Sequence, residues 1–141
     1  MSEVLRTLIK GRERIAKGWC VSNFGQTAVG IPCDPNGKEA VRWCARGAVG
    51  SSFIDGKINE AAEEALARAL PVEYLTFGRQ PTGNDVAAFN NRSSQAEVLA
   101  LFDRAIAMER AKTQRTDSEL FAELMARIST QMIASPEYVR A

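Results

Sequence analysis

SQAEVLALFDRAIAMERA, residues 94–111, decides the fold class. Ser94 and Glu97 stand in the order of a capping box. Val98, Leu101, Phe102, Ala105 and Met108 then recur at helical spacing, one face of a helix that ends near Ala111. The same period appears on both sides of this stretch. Upstream, INEAAEEALARAL, residues 58–70, sets Ala62, Ala65, Leu66, Ala69 and Leu70 on one face, places Glu64 one turn before Arg68 on the other, and is ended by Pro71. Downstream, Thr116 and Glu119 form a second capping box before the stripe Leu120, Phe121, Leu124, Met125, Ile128 and Met132, which Ser135-Pro136 closes.

At the N-terminus, Val4, Leu5, Leu8, Ile15, Ala16 and Trp19 share one helical face behind Ser2 as N-cap, and Gly18 is a natural stop. Gly11 weakens the middle of this helix by about 1 kcal/mol relative to alanine, so two pieces are expected. CVSNFGQTAVGIPCDPNG, residues 20–37, is loop chemistry with room for a minor β-hairpin within 20–34. The next helix is expected from Lys38 to Val49, with the small residues Ala40, Val41, Cys44, Ala45 and Ala48 on a face that neighbours can approach closely. Residues 72–93 read as the longest irregular stretch, broken by a short helix from Asp85 to Phe89. With no βαβ alternation and no run of two-residue periodicity, the expected fold is all-α, a compact bundle of five to six helices in a single domain spanning residues 1–141.

Composition narrows the chemistry. A chain of 141 residues with 45% apolar and 25% charged side chains has ordinary globular composition. Its net charge of +1 supplies no global field for nucleic acid or an anionic membrane. Charges interrupt the N-terminal apolar positions every few residues, as in neither a signal peptide nor a membrane anchor, and a cytoplasmic protein with no membrane partner is expected. Three cysteines, Cys20, Cys33 and Cys44, are odd in number and widely spaced, so reduced thiols are expected. The chain has no histidine, which removes Ser-His-Asp and Cys-His nucleophile systems, His-containing zinc sites and the two-histidine facial triad.

Several constellations remain. The cysteines with Asp34 are acceptable zinc donors, but none forms a CxxC knuckle and Cys44 lies on an apolar stripe, so no metal is expected. A reactive Cys33 would need a basic neighbour, and Asp34 acts against it. Arg6, Lys10, Arg14 and Lys17 line one face of the first helix, a basic ridge suited to phosphates or to an acidic protein surface. Asn84, Asp85, Asn90, Asn91 and Arg92 crowd short polar side chains into one candidate ligand-binding loop, although capping of the two helices that begin nearby is the preferred reading of them. The stripe of the last helix, with Phe121, Met125 and Met132, packs internally or forms a partner or homodimer surface.

The order of GWC, GIPCDP, EAVRWCARGA, and AAFNN followed by QAEVLALFDRAIA resembles an uncharacterised family of small bacterial and phage-encoded proteins over roughly residues 4–110. The resemblance implies that Trp43, Cys44, Gly47 and Ala48 belong to a shared core, and that the helix after about Thr116 lies beyond it. The family's turn is commonly FND, whereas this chain has Phe89-Asn90-Asn91. It implies no reaction. The leading expectation is therefore a non-enzymatic protein-interaction module without a cofactor, a phage or mobile-element accessory protein that inhibits a host complex being one concrete form. The alternatives are a nucleic-acid-binding regulator using the basic ridge, and a small-ligand binder or enzyme centred on residues 84–92.

Overall fold

The computed structural model describes residues 1–75, 78–114 and 118–134, with the side chains of 113–114 and 131–134 excepted. Among these residues the chain is mainly helical. It forms α1 (Glu3–Lys17), β1 (Gly25–Gln26), β2 (Arg42–Trp43), α2 (Ala45–Ala48), α3 (Glu60–Arg68), a 3-10 turn (Val72–Tyr74), α4 (Gly83–Arg92), α5 (Gln95–Gln114) and α6 (Leu120–Ala134). The chain divides into two compact units, Met1–Glu109 and Arg110–Ala141, the division falling within α5. No helix among the described residues is long and apolar enough to cross a membrane.

The core of the first unit follows the apolar stripes. Leu5, Leu8 and Ile15 of α1, Ala62, Leu66 and Leu70 on and just after α3, Val86 and Phe89 of α4, and Val98, Leu101, Phe102 and Ala105 of α5 form one buried cluster. Met108 departs from its predicted stripe and is exposed, Ile106 being buried instead. Ser2 caps α1 through Leu5 N, and the helix runs unbroken through a buried Gly11, so packing outweighs the propensity penalty that predicted two pieces. Ser94 and Glu97 cap α5 reciprocally, as their spacing predicts. Further ties hold α5 to the rest of the unit. Gln95 donates to the Ile15 carbonyl at 2.8 Å, Arg12 binds Asp103 at 2.6 Å, and Arg104 donates to the Ala69 carbonyl at 3.0 Å.

Between residues 20 and 49 one expectation is corrected and one is met. The helix read from Lys38 to Val49 shrinks to Ala45–Ala48, because Arg42–Trp43 is taken up as a strand antiparallel to Gly25–Gln26. The minor hairpin expected within 20–34 is present: Thr27 N donates to Ile31 O and Cys33 N to Gly25 O around an antiparallel Gln26–Pro32 bridge, and β1 pairs on its other side with β2. Long-range hydrogen bonds decide the outcome. Trp43 N donates to Gly18 O, Cys20 N to Trp43 O, and the Trp43 indole to Pro35 O at 2.7 Å, which holds the segment extended. Cys44 then caps α2, its sulfur accepting from Gly47 N at 3.4 Å.

Gly47 sets how closely the 20–26 segment approaches α2. A Cβ at this position would run into the carbonyl of Phe24, backbone against backbone, with no side chain able to yield. Gly47→Ala should therefore lower unfolding free energy by on the order of 3 kcal/mol, read as a shift in the urea midpoint at unchanged m-value.

Candidate functional site

The site grows from a buried anchor. Asn90, on the last turn of α4, is 1% exposed. Its Oδ1 accepts from the Trp19 indole and from Ala45 N, both at 3.0 Å, and its Nδ2 donates to the Cys20 carbonyl at 3.0 Å. Asn91 accepts from Ser22 N at 3.0 Å, holding Ser22 at φ 70°, a left-handed conformation that a non-glycine residue adopts only when its surroundings impose it. Neighbouring asparagines of α4 thus fix the path of residues 19–22 and the start of α2. That start places Arg46.

Arg46 forms a wall. Its Nε binds Glu63 of α3 at 3.0 Å, and both side chains are largely buried, at 12% and 5% exposure. Glu63 also accepts a very short hydrogen bond from the Ser51 hydroxyl, whose oxygen accepts in turn from Asn59 N. A buried carboxylate satisfied in this way is strongly committed, because removing one partner would leave an uncompensated charge. The other side of the guanidinium lies against the rings of Phe24 and Phe53, 5.0 and 5.9 Å from their centroids.

Phe53 and Phe24 stack at 4.4 Å with an interplanar angle of 23°. Phe53 begins the loop Phe53-Ile54-Asp55-Gly56, which paired backbone bonds between Ser52 and Lys57 close at 2.8 and 3.1 Å. Ser51 and Ser52 at its base are fully buried, yet Phe53 is 73% and Ile54 68% exposed. Loop tips usually carry Gly, Asn, Asp or Pro, so two large apolar residues there are an exception. Next to them, Phe24, Pro32, Cys33, Phe53 and Ile54 line a mainly apolar cleft of about 180 Å³. The turn leading into Pro32 exposes Val29 and Ile31 as well.

A second cleft, of about 430 Å³, opens where Arg46 meets α3 and the start of α4, with Glu60, Glu63, Glu64, Thr82 and Asn84 on its walls. Gly83 is needed for this closure, since a Cβ there would collide with the Glu63 carboxylate. The two clefts therefore share a divider made of Arg46 and the paired rings.

A family model described as a family of unknown function (DUF6197) matches residues 1–108. The chain belongs to this family. No curated protein and no solved structure matches it. The DUF6197 segment coincides with the first compact unit, Met1–Glu109, and both clefts lie inside it. The helix α6 lies beyond it, as the resemblance implied.

The residues singled out from sequence fall partly within the DUF6197 segment and partly, on α6, outside it. The short helix expected from Asp85 to Phe89 is longer than read, α4 taking in Gly83–Arg92, so the polar residues on its flanks are helical and not in a loop. Asp85 caps α4 through Thr82 N and binds Arg79 at 2.9 Å, which holds its carboxyl below the usual range. Asn90 and Asn91 are engaged with residues 19–22 and 45, Arg92 is exposed on the last turn, and Asn84 lines the larger cleft. On α1, Arg6, Lys10 and Lys17 are exposed, whereas Arg14 turns inward over the Trp43 ring at 5.5 Å and donates to Asn36 and to Gly47 O. Burial lowers the Arg14 pKa from its usual value. On α6, Phe121 is 65% and Met125 48% exposed; the Met132 side chain, Thr116 and Ser135-Pro136 lie outside the described residues. Sequence reasoning misses the Phe24–Phe53 pair, which carries no periodic signal; its one trace is an apolar pair in a Gly/Ser-flanked loop, GSSFIDGK.

All three cysteines are free. Burial pushes the Cys20 thiol up to about 12 and raises that of Cys44. Cys33, half-buried in the apolar cleft, is raised by partial burial and then by Glu39 and Asp34.

Asn90→Ala should lower stability by about 3 kcal/mol, since it leaves buried donors and a carbonyl without partners, while exposed Asn84→Ala should stay within about 0.5 kcal/mol in the same urea titration. At pH 7 a water-soluble disulfide reagent should label Cys33 slowly, faster as pH rises toward its raised pKa, with Cys20 and Cys44 reacting only after unfolding; mass spectrometry of the digest assigns the sites.

Proposed function

We propose that this chain is a non-enzymatic protein-binding module whose contact surface is the apolar cleft between the Thr27–Ile31 turn and the Phe53–Ile54 tip. One observation carries the reading: a loop anchored by two fully buried serines holds a phenylalanine and an isoleucine 73% and 68% exposed. Large apolar side chains on a fixed tip lose little conformational freedom on binding and remove much surface from water when covered, which is what an interface anchor requires. The nearby groups that catalysis would recruit are committed elsewhere. Ser51 and Glu63 satisfy each other, Arg46 is paired, the thiols are held in their neutral form, and no histidine exists to act near neutral pH.

A photo-crosslinking phenylalanine analogue placed at position 53 should yield a discrete protein adduct in native host cells. The same analogue in place of exposed Glu13 on α1 should not, and Ile54→Ser should reduce the adduct at 53. Equal labelling from both positions, or none from position 53, would overturn the reading.

A further inference from the structure

We infer that the occupant of this surface is an extended peptide segment with one large apolar side chain and, a few residues away from it, a lysine or arginine; this rests on the protein-binding reading above. The inference comes from what lies on either side of Arg46. On one side is the apolar cleft, with Phe24, Phe53 and Ile54 on its walls. On the other is the larger cleft, where Glu60, Glu63 and Glu64 face one guanidinium. Arg46 and Ser51 satisfy Glu63 internally. Glu60 and Glu64 are exposed and stand one helical turn apart on α3, a like-charge arrangement that is mildly unfavourable until a cation approaches. Arg68 binds Glu64 at 2.7 Å, but this pair is about half exposed on both sides and readily exchanged. With Glu63 paired to Arg46 and Glu64 to Arg68, Glu60 leaves the mouth beside the apolar cleft net negative, and the partner it complements carries positive charge next to its anchor.

The divider sets the spacing. Its thickness is one guanidinium and the paired rings, and an extended chain advances about 3.3 Å per residue, so roughly three or four residues separate anchor from cation. The flat faces of Phe24 and Phe53, backed by Arg46, leave the anchor to be aromatic or aliphatic.

A random-peptide display selection against the whole chain tests this, followed by fluorescence anisotropy with the selected peptides. The expected result is enrichment of an apolar residue roughly three or four residues away from a Lys or Arg, on either side of it. Exchanging that cation for Glu should weaken binding about ten-fold or more at low salt, with the difference shrinking as salt rises. Glu60→Lys should remove the cation preference and keep the apolar one. Phe53→Ser should abolish selection altogether, with far-UV circular dichroism and melting confirming that both variants fold. Apolar enrichment without a cation, or a cation preference unchanged by Glu60→Lys, overturns this inference and leaves the protein-binding reading standing. Enrichment equal on wild type and Phe53→Ser overturns both.

Discussion

The structure of the first unit depends on one carboxamide. Asn90 is buried at the end of α4 and uses three of its four hydrogen-bonding positions to hold the Trp19 indole, the first amide of α2 and the Cys20 carbonyl. Each of these groups is far from Asn90 in sequence and has no helical or ladder partner to replace it. An apolar residue of the same volume would fill the space and leave an amide, an indole N–H and a carbonyl buried without partners, which is why a polar residue belongs in this core. The consequences of the anchor are geometric: residues 19–22 take a left-handed step at Ser22, Phe24 lies on Gly47, and Arg46 is aimed at Glu63.

The Arg46–Glu63 pair is the second tier of the same construction. A buried ion pair stabilises a fold less than apolar packing of the same volume, because both charges lose their hydration. Here its guanidinium also supports the two stacked rings, one of which is mostly exposed. Without that support the Phe24–Phe53 stack would lose the cation beside it and be held by ring-to-ring contact alone. With it, the ring is held outward between two clefts of opposite character. The buried polar network and the exposed aromatic are thus one device viewed from two sides.

Helices that bury a continuous stripe are readable from sequence because their spacing is local. The faces of α1, α3 and α5, the Ser2 cap and the Ser94–Glu97 box all come from residues within a turn or two of one another. The failures share a cause. Between Lys38 and Val49 the small residues fit a helical wheel, but Arg42–Trp43 is claimed by Gly25–Gln26 and Gly18, so non-local backbone bonds override the local pattern. Asp85–Phe89 is readable as a short helix, but the flanking asparagines read as loop or capping residues. In the fold, Asn90 and Asn91 are used across the structure at Trp19, Cys20, Ala45 and Ser22, which no local rule anticipates. Arg14 likewise belongs by spacing to a solvated ridge, and by packing to the interior over Trp43.

The site is least legible of all, for a physical reason. An interface anchor is an apolar residue where the rules of solubility place a polar one, so it registers in sequence only as noise in a loop. GSSFIDGK has the glycines and small polar residues of a turn, and its Phe53-Ile54 pair carries no period. Its meaning depends on facts that exist only after folding: Ser51 and Ser52 are wholly buried, Ser52 and Lys57 close the loop, and Phe24 arrives from 29 positions upstream to stack on Phe53. Because backbone bonds and buried serines fix this loop before any partner arrives, its freedom is already lost in folding. On the proposed protein-binding reading, covering the tip would gain the burial of two apolar side chains with little further ordering cost. Rigidity at the base and exposure at the tip are therefore complementary requirements.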